Sequence, residues 1–379
     1  MTKISNFLVP SLHIYFIYIL YTKSLYQGDG KMYKRKAYLQ NLLSYSKEIT
    51  FDTANAGVEF NAFANILKKM PKTPYVILFD SSNIDVLYNH ICNLKFIPNA
   101  VSRIVAIAFD KDAHLKLHEK YPNIPNILID LTPLKKSIEA VQENREYLTY
   151  GLVLMVRARI CAHLAQRGVN FWLMQQDTIW TENLQMSYLE EKYPEAHLIL
   201  DRIGNEMPFF YRMQMWACGA TFFVRGSPTT YQYFKQVESY MFTDQSPDST
   251  IMTYLCGHNG YKCEFLSYSV ASSSNYFETL REYVPALIQL DGEKKDKETK
   301  MDTLTRGKFN FQFKNGTCNE KAYMNAKQSA KTAYLDAIGR WPVPPESQYL
   351  KIQFFLGNLF NVDPWNRKAF MKYHYSLLQ

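Results

Sequence analysis

No G-x-G-x-x-G follows the first apolar run of this 379-residue chain, and no Walker loop, G-x-S-x-G elbow or H-E-x-x-H pair occurs in it. The first absence argues against a dinucleotide dehydrogenase, whose glycines let the backbone approach a pyrophosphate. The others argue against P-loop, serine-hydrolase and zinc-protease chemistry. There is no internal repeat and no low-complexity tract. Charged residues are sparse at 21% against 47% apolar, so the chain fills a core and is not a disordered tail. An uninterrupted apolar run of the roughly 20 residues that a spanning helix prefers is also missing. Residues 7–21 (FLVPSLHIYFIYILY) come nearest and are broken by Pro10, Ser11 and His13.

Residues 1–22 therefore read as a signal or signal-anchor segment for the secretory pathway, or else as a buried N-terminal helix. Residues 23–72 read as a stem. Six cysteines permit disulfides in an oxidising lumen, and the pair Cys256 and Cys263 around GHNGYK suits a local bridge. In NGTC, Asn315 has the N-x-T pattern of a glycan acceptor. These three features point to the Golgi or ER lumen, membrane-anchored or secreted. The formal charge of +8 suits an anionic partner. The only dense basic tract, Lys31 to Lys36, comes with no nucleic-acid-binding motif, so no nucleic acid is expected. Aromatics at 15% read first as rings filling a core.

From Tyr75 the chain alternates short apolar runs with helical patterns. YVILFD (75–80), RIVAIAFD (103–110), NILIDL (126–131) and VNFWLMQQD (169–177) are the first runs, with HLILDRI (197–203) and ATFFVRG (220–226) after them. The long helix between the third and fourth is expected to end on Gly168. Such alternation predicts an α/β domain with a mostly parallel sheet, whose ligands gather at the carboxyl ends of the strands. Asp80, Asp110 and Asp177 end three of the runs. Aspartate also favours turns and helix N-caps, and for Asp80 and Asp110 that reading stands beside the functional one. His114 and His118, at i and i+4, read as a solvated face because no third zinc ligand is specified.

The order helix, VNFWLMQQDTIWTENL, HLILDR, CGATFFVRGS, PDSTIMTYLC and IQLDG resembles the nucleotide-diphospho-sugar transferases, from about Tyr75 to Phe313. The pattern D-x-D-x-x-W-x-x-N is met by Asp177, Trp180 and Asn183. The resemblance implies a Rossmann-like nucleotide-sugar transferase (GT-A) fold, here a single α/β domain with a mostly parallel sheet over residues 73–313. A C-terminal extension, 314–379, would pack on it. It also implies Mn²⁺ or Mg²⁺ held by Asp177, Gln175 and Asp291. Asp80 and Asp110 would contact the nucleotide or ribose, and Lys300 and Arg225 the diphosphate. Asp248, which matches the family's helix start with Asp244-Gln245 as the competing match, would be the catalytic residue, orienting the acceptor or stabilising the sugar. Gln175 departs from the family's first aspartate and brings an oxygen without charge. Cys218 stands where many members carry asparagine, and no histidine accompanies IQLDG.

The function implied is a glycosyltransferase taking a nucleotide-sugar donor, a UDP-sugar first, to a glycan or glycoprotein acceptor. A lumenal glycan-binding pseudoenzyme is the alternative.

Overall fold

The structure is a computed structural model that describes residues 56–139, 145–183, 189–203, 216–244, 247–256, 260–273, 284–290 and 298–336. The N-terminal apolar segment, residues 23–55 of the stem, Asp291 and the chain beyond 336 lie outside the described residues.

The described chain runs α1 (Ala56–Lys69), β1 (Tyr75–Phe79), α2 (Ile84–Lys95), β2 (Ile104–Ala108), α3 (Lys111–Lys120), β3 (Asn126–Leu128), α4 (Thr132–Glu139), α5 (Arg145–Gln166), β4 (Phe171–Met174) and β5 (Thr178–Trp180). It continues with α6 (Leu189–Lys192), β6 (Leu198–Arg202), β7 (Ala217–Val224), α7 (Pro228–Asp244), α8 (Asp248–Cys256), β8 (Cys263–Phe265), β9 (Ala271–Ser273), β10 (Leu287–Gln289), α9 (Lys300–Arg306) and α10 (Glu320–Asp336).

Seven strands form one sheet in the order β3-β2-β1-β4-β7-β6-β8. Its pairings are parallel except where β7 runs against β4 and β6. The chain steps outward from β1 to β2 and β3, then returns to place β4 on the other side of β1. A sheet built this way opens a crevice where the direction of travel reverses, at the carboxyl ends of the two central strands. Here those ends belong to β1 and β4.

The period of two in each strand divides the core into two layers. Val76, Val105, Ile107, Phe171, Leu173, Phe222 and Val224 face one layer, closed by α1, α5, α7 and α8. Tyr75, Ile77, Ala106, Trp172, Met174 and Phe223 face the other, closed by α2, α3, α10 and a three-stranded sheet β5-β10-β9. Gly168 ends α5 with φ +71°, and its N–H meets the Ala165 carbonyl at 2.9 Å, the helix stop expected of it.

Two expectations differ from what the chain does. FWLMQQD is not one strand: β4 stops at Met174, and Gln175 to Asp177 form a turn that hands the chain to β5 in the small sheet. The reason is that β10 captures Thr178–Trp180 as an antiparallel partner. Second, the charged stretch GEKKDKETK (292–300) reads in the sequence as a flexible loop or the approach to one, and its described end starts a helix, because Thr299 and Asp302 form a capping box that begins α9 at Lys300.

The cysteines form two bridges, Cys92–Cys318 and Cys256–Cys263. The second is the local pair expected from the sequence. The first clips α2 to the segment between α9 and α10. In the same place the Asn89 side chain pairs with the Phe309 carbonyl at 2.9 Å and the Phe311 N–H at 2.6 Å. Tyr323 of α10 stacks on Phe96 and is buried.

Candidate functional site

A pocket of about 400 Å³ opens at the switch point. Leu78, Phe79 and Asp80 at the end of β1 and Leu173 to Asp177 at the end of β4 and in the turn after it form two of its walls; Val153, Leu154 and Arg157 of α5 close it, with Lys300 at its edge. That size suits a small-molecule ligand, and the lining is apolar with a few polar groups, as such sites usually are. Because β1, β2 and β4 are parallel, Asp80, Asp110 and Asp177, which follow their carboxyl ends, come to one edge of the sheet. Only Asp80 and Asp177 line the pocket.

Each carboxylate of the site has a cation from another element. Asp80 accepts from Lys135 Nζ of α4 at 2.6 Å, from Ser82 Oγ at 2.5 Å and from Asn83 Nδ2 at 3.2 Å. Burial would raise its pKa, but these hydrogen bonds and the Lys135 charge outweigh burial and hold the carboxyl below its ordinary range. Asp177 accepts from Lys300 Nζ at 2.6 Å through Oδ2. Its Oδ1 and the Gln176 Oε1 beside it are buried without a protein partner. Gln175 is tied down: its Oε1 accepts from Gln289 Nε2 at 2.9 Å, and Gln289 Oε1 accepts from Thr178 Oγ1 at 2.9 Å. This amide relay fastens the turn to β10.

Asp248 lies behind the pocket, 3% exposed. Its Oδ2 receives Nε of Arg157 at 2.8 Å and also Nη2, and its Oδ1 receives the Ser249 N–H at 2.8 Å. Arg157 Nη1 continues to the Gly219 carbonyl at 2.8 Å. Gly219 has φ +74°, and its N–H, with those of Ala220 and Thr221, donates to the buried Asp201 carboxylate. The guanidinium that lines the pocket is thus locked in place from behind.

Asp110 and Arg225 do not join the pocket. Asp110 caps α3, accepting from Ala113 N–H at 2.8 Å, and its second oxygen accepts from Ser81 N–H at 2.8 Å. It ties the end of β2 to the end of β1. Arg225 sits at the opposite edge of the sheet, since antiparallel β7 ends beside Phe171 at the start of β4. There its guanidinium donates to the carbonyls of Ala196, Glu190 and Tyr193. Trp180 and Asn183 support the framework. Asn93 brackets the Trp180 backbone with two bonds, and Asn183 joins Tyr75 Oη to the Pro98 carbonyl. His90 donates from Nδ1 to the Thr178 carbonyl at 2.9 Å, and burial pushes its pKa down to about 4.

Sequence reasoning missed Lys135, Arg157 and Gln289. Arg157 had a signal, a charge inside the apolar helix run LVLMVRARI that must find a buried partner. Lys135 and Gln289 had none.

The described residues do not fit a divalent cation. Mg²⁺ and Mn²⁺ favour several hard, charged oxygens. Here the two described carboxylates of the pocket, Asp177 and Asp80, are each matched by an ammonium at 2.6 Å, the Gln175 oxygen is taken by Gln289, and Asp291 lies outside the described residues. Among the described residues no three His, Cys, Asp or Glu side chains gather into a metal-holding group.

A doubly covered, mostly parallel sheet with a polar-edged pocket at its switch point defines an α/β protein of the class whose ligands gather at the strand ends. The chain matches the nucleotide-diphospho-sugar transferase family over residues 99–304, more than half its length, and belongs to that family. No curated protein sequence matches it. Among solved structures it is similar to mouse xyloside xylosyltransferase 1 in its apo form, at 11% identity and a TM-score of 0.38, covering 58% of this chain and 98% of that one. The glycosyltransferase GlyE of Streptococcus pneumoniae TIGR4, apo form, gives 10%, 0.43, 69% and 64%. The galactosyltransferase LgtC, in complex with donor and acceptor sugar analogues, gives 10%, 0.40, 73% and 100%.

Proposed function

We propose that the protein is a glycosyltransferase of the secretory-pathway lumen, moving a sugar from a nucleotide-diphospho-sugar, a UDP-sugar first, to a glycan or protein hydroxyl. The observation that carries this reading is the pocket at the β1–β4 switch point, with the Lys300 ammonium and the Arg157 guanidinium at its wall. Transfer leaves negative charge on the departing diphosphate. A cation already in place stabilises that charge without reorganising water, and this lowers the barrier. The apolar wall from Leu78, Val153, Leu154 and Leu173 suits the faces of a base and a sugar. Two disulfides and an exposed Asn315, whose side-chain Oδ1 accepts from Thr317 Oγ1 at 2.7 Å, support a lumenal setting.

The test is a panel of nucleotide-sugars incubated with the purified protein, reading donor hydrolysis and transfer to added glycans. Turnover of one donor well above the others is the expected result. Complete inertness toward every donor, with no nucleotide bound, would remove the proposal.

A further inference from the structure

We infer that the site binds its donor diphosphate without a divalent cation, Lys300 supplying the counter-charge and Asp177 acting as the positioning residue that holds Lys300 in place. This rests on the transferase reading above.

Three observations carry it. The first is the pairing itself. Lys300 Nζ lies 2.6 Å from Asp177 Oδ2, at the one carboxylate left in the Gln-x-Asp turn. A metal bound to the same carboxylate would place two more positive charges beside that ammonium, and the other described carboxylate of the pocket, Asp80, is already matched by Lys135 at 2.6 Å. The second is the state of Gln175. A carbonyl oxygen can ligate a hard cation, but this one accepts from Gln289 at 2.9 Å, and Gln289 is itself held by Thr178. Freeing it would undo the contact that fastens the turn to the small sheet. The third is how Lys300 is presented. A capping box at Thr299 and Asp302 fixes the start of α9, so Lys300 leaves the backbone at a defined point. Its side chain is 46% exposed while that of Asp177 is 12% exposed. The carboxylate is therefore the buried anchor and the ammonium the group that meets solution and pocket.

The other cations near the pocket are already matched within the fold. Arg157 is neutralised by buried Asp248, and Lys135 by Asp80. All three cations are paired, and what sets Lys300 apart is exposure: its side chain is 46% exposed, against 25% for Lys135 and 8% for Arg157. An ammonium is a compact charge with three rotatable donors, suited to phosphate oxygens whose position shifts as the sugar leaves. Asp177 keeps a second, buried oxygen without a protein partner, and Gln176 Oε1 is in the same condition. These acceptors suit hydroxyls of the ligand, which donate, better than they suit its phosphates.

The experiment is calorimetric titration of the full-length protein with UDP, GDP and ADP, each in EDTA and in Mn²⁺, on wild type, Lys300→Gln, Lys300→Arg and Asp177→Asn. Circular dichroism melting of each protein serves as the folding control. The expected result is that the preferred diphosphate binds in EDTA within about threefold of its affinity in Mn²⁺. Lys300→Gln should weaken it on the order of tenfold or more in both buffers, the loss of one charge-assisted hydrogen bond. Lys300→Arg should restore most of it, which a merely structural role for Lys300 would not require. Asp177→Asn should weaken binding less than Lys300→Gln and equally in the two buffers. A gain of about tenfold or more on adding Mn²⁺ would overturn the inference and leave the transferase reading standing. Metal-independent binding untouched by Lys300→Gln would also overturn it, since the counter-charge would then lie elsewhere. If none of the three diphosphates binds in either buffer, the transferase reading falls and this inference with it.

Discussion

Arg157 and Asp248, 91 positions apart, form a buried ion pair behind the pocket, with side chains 8% and 4% exposed. A charge removed from water at such depth is costly unless its partner stays in place, and breaking one side of a buried pair costs about 3–5 kcal/mol. Asp248→Asn and Arg157→Met should each lower stability by that order in urea denaturation. The double variant should lose less than the sum. Additive losses would mean the two groups do not act as a pair.

Asp177→Asn tests the turn from the other side. The ion pair it removes has a half-exposed lysine, so the stability change should be about 1 kcal/mol or less. Donor hydrolysis should fall much further than melting temperature, since Lys300 loses its anchor. A large drop in melting temperature with unchanged nucleotide affinity would make Asp177 a turn residue only.

Stability should depend on pH through His90. The folded ring titrates at about 4 because burial disfavours its charged form, and the unfolded ring near the ordinary 6.5. Between these values the unfolded chain binds the extra proton, so stability rises with pH. The contribution is complete above 6.5 and is lost as pH falls toward 4, by roughly 3 kcal/mol. His90→Gln, whose amide keeps a donor for the Thr178 carbonyl, should flatten that part of the curve by one proton. An unchanged slope would mean that His90 is not the group responsible.

The two bridges should differ in what they hold. In the chain-entropy picture, a cross-link over 226 positions is worth about 5 kcal/mol and one over 7 about 2–3 kcal/mol. Cys92→Ser with Cys318→Ser should therefore lower the melting temperature more than Cys256→Ser with Cys263→Ser. It should also weaken nucleotide binding, because α2 is where the segment following the Lys300 helix docks. Equal binding in both double variants would separate the bridge from the pocket.

Protein made through a secretory pathway should shift in gel mobility on glycosidase digestion, and Asn315→Gln should abolish the shift. Absence of the shift in wild type would count against a lumenal setting.

The strands were legible because their cue is local. A run such as YVILF needs no partner to be read as buried, and Gly168 needs none to be read as a helix stop. The common edge of Asp80, Asp110 and Asp177 followed from the same cue, since alternating strands and helices imply parallel strands with their ends together. The local spacing of Cys256 and Cys263 worked in the same way. Three matters were decided only in the folded chain. Antiparallel β7 carries Arg225 to the far edge, although its residues read like any other strand. Strand β10 stops FWLMQQD three residues early and engages Gln175. Each carboxylate acquires its cation from a distant element: Lys135 for Asp80 at 55 positions, Arg157 for Asp248 at 91 and Lys300 for Asp177 at 123. Periodicity along a strand reports which face a side chain occupies. Partner choice depends on strand order and direction, which the crossovers settle by burying both faces of the sheet at once.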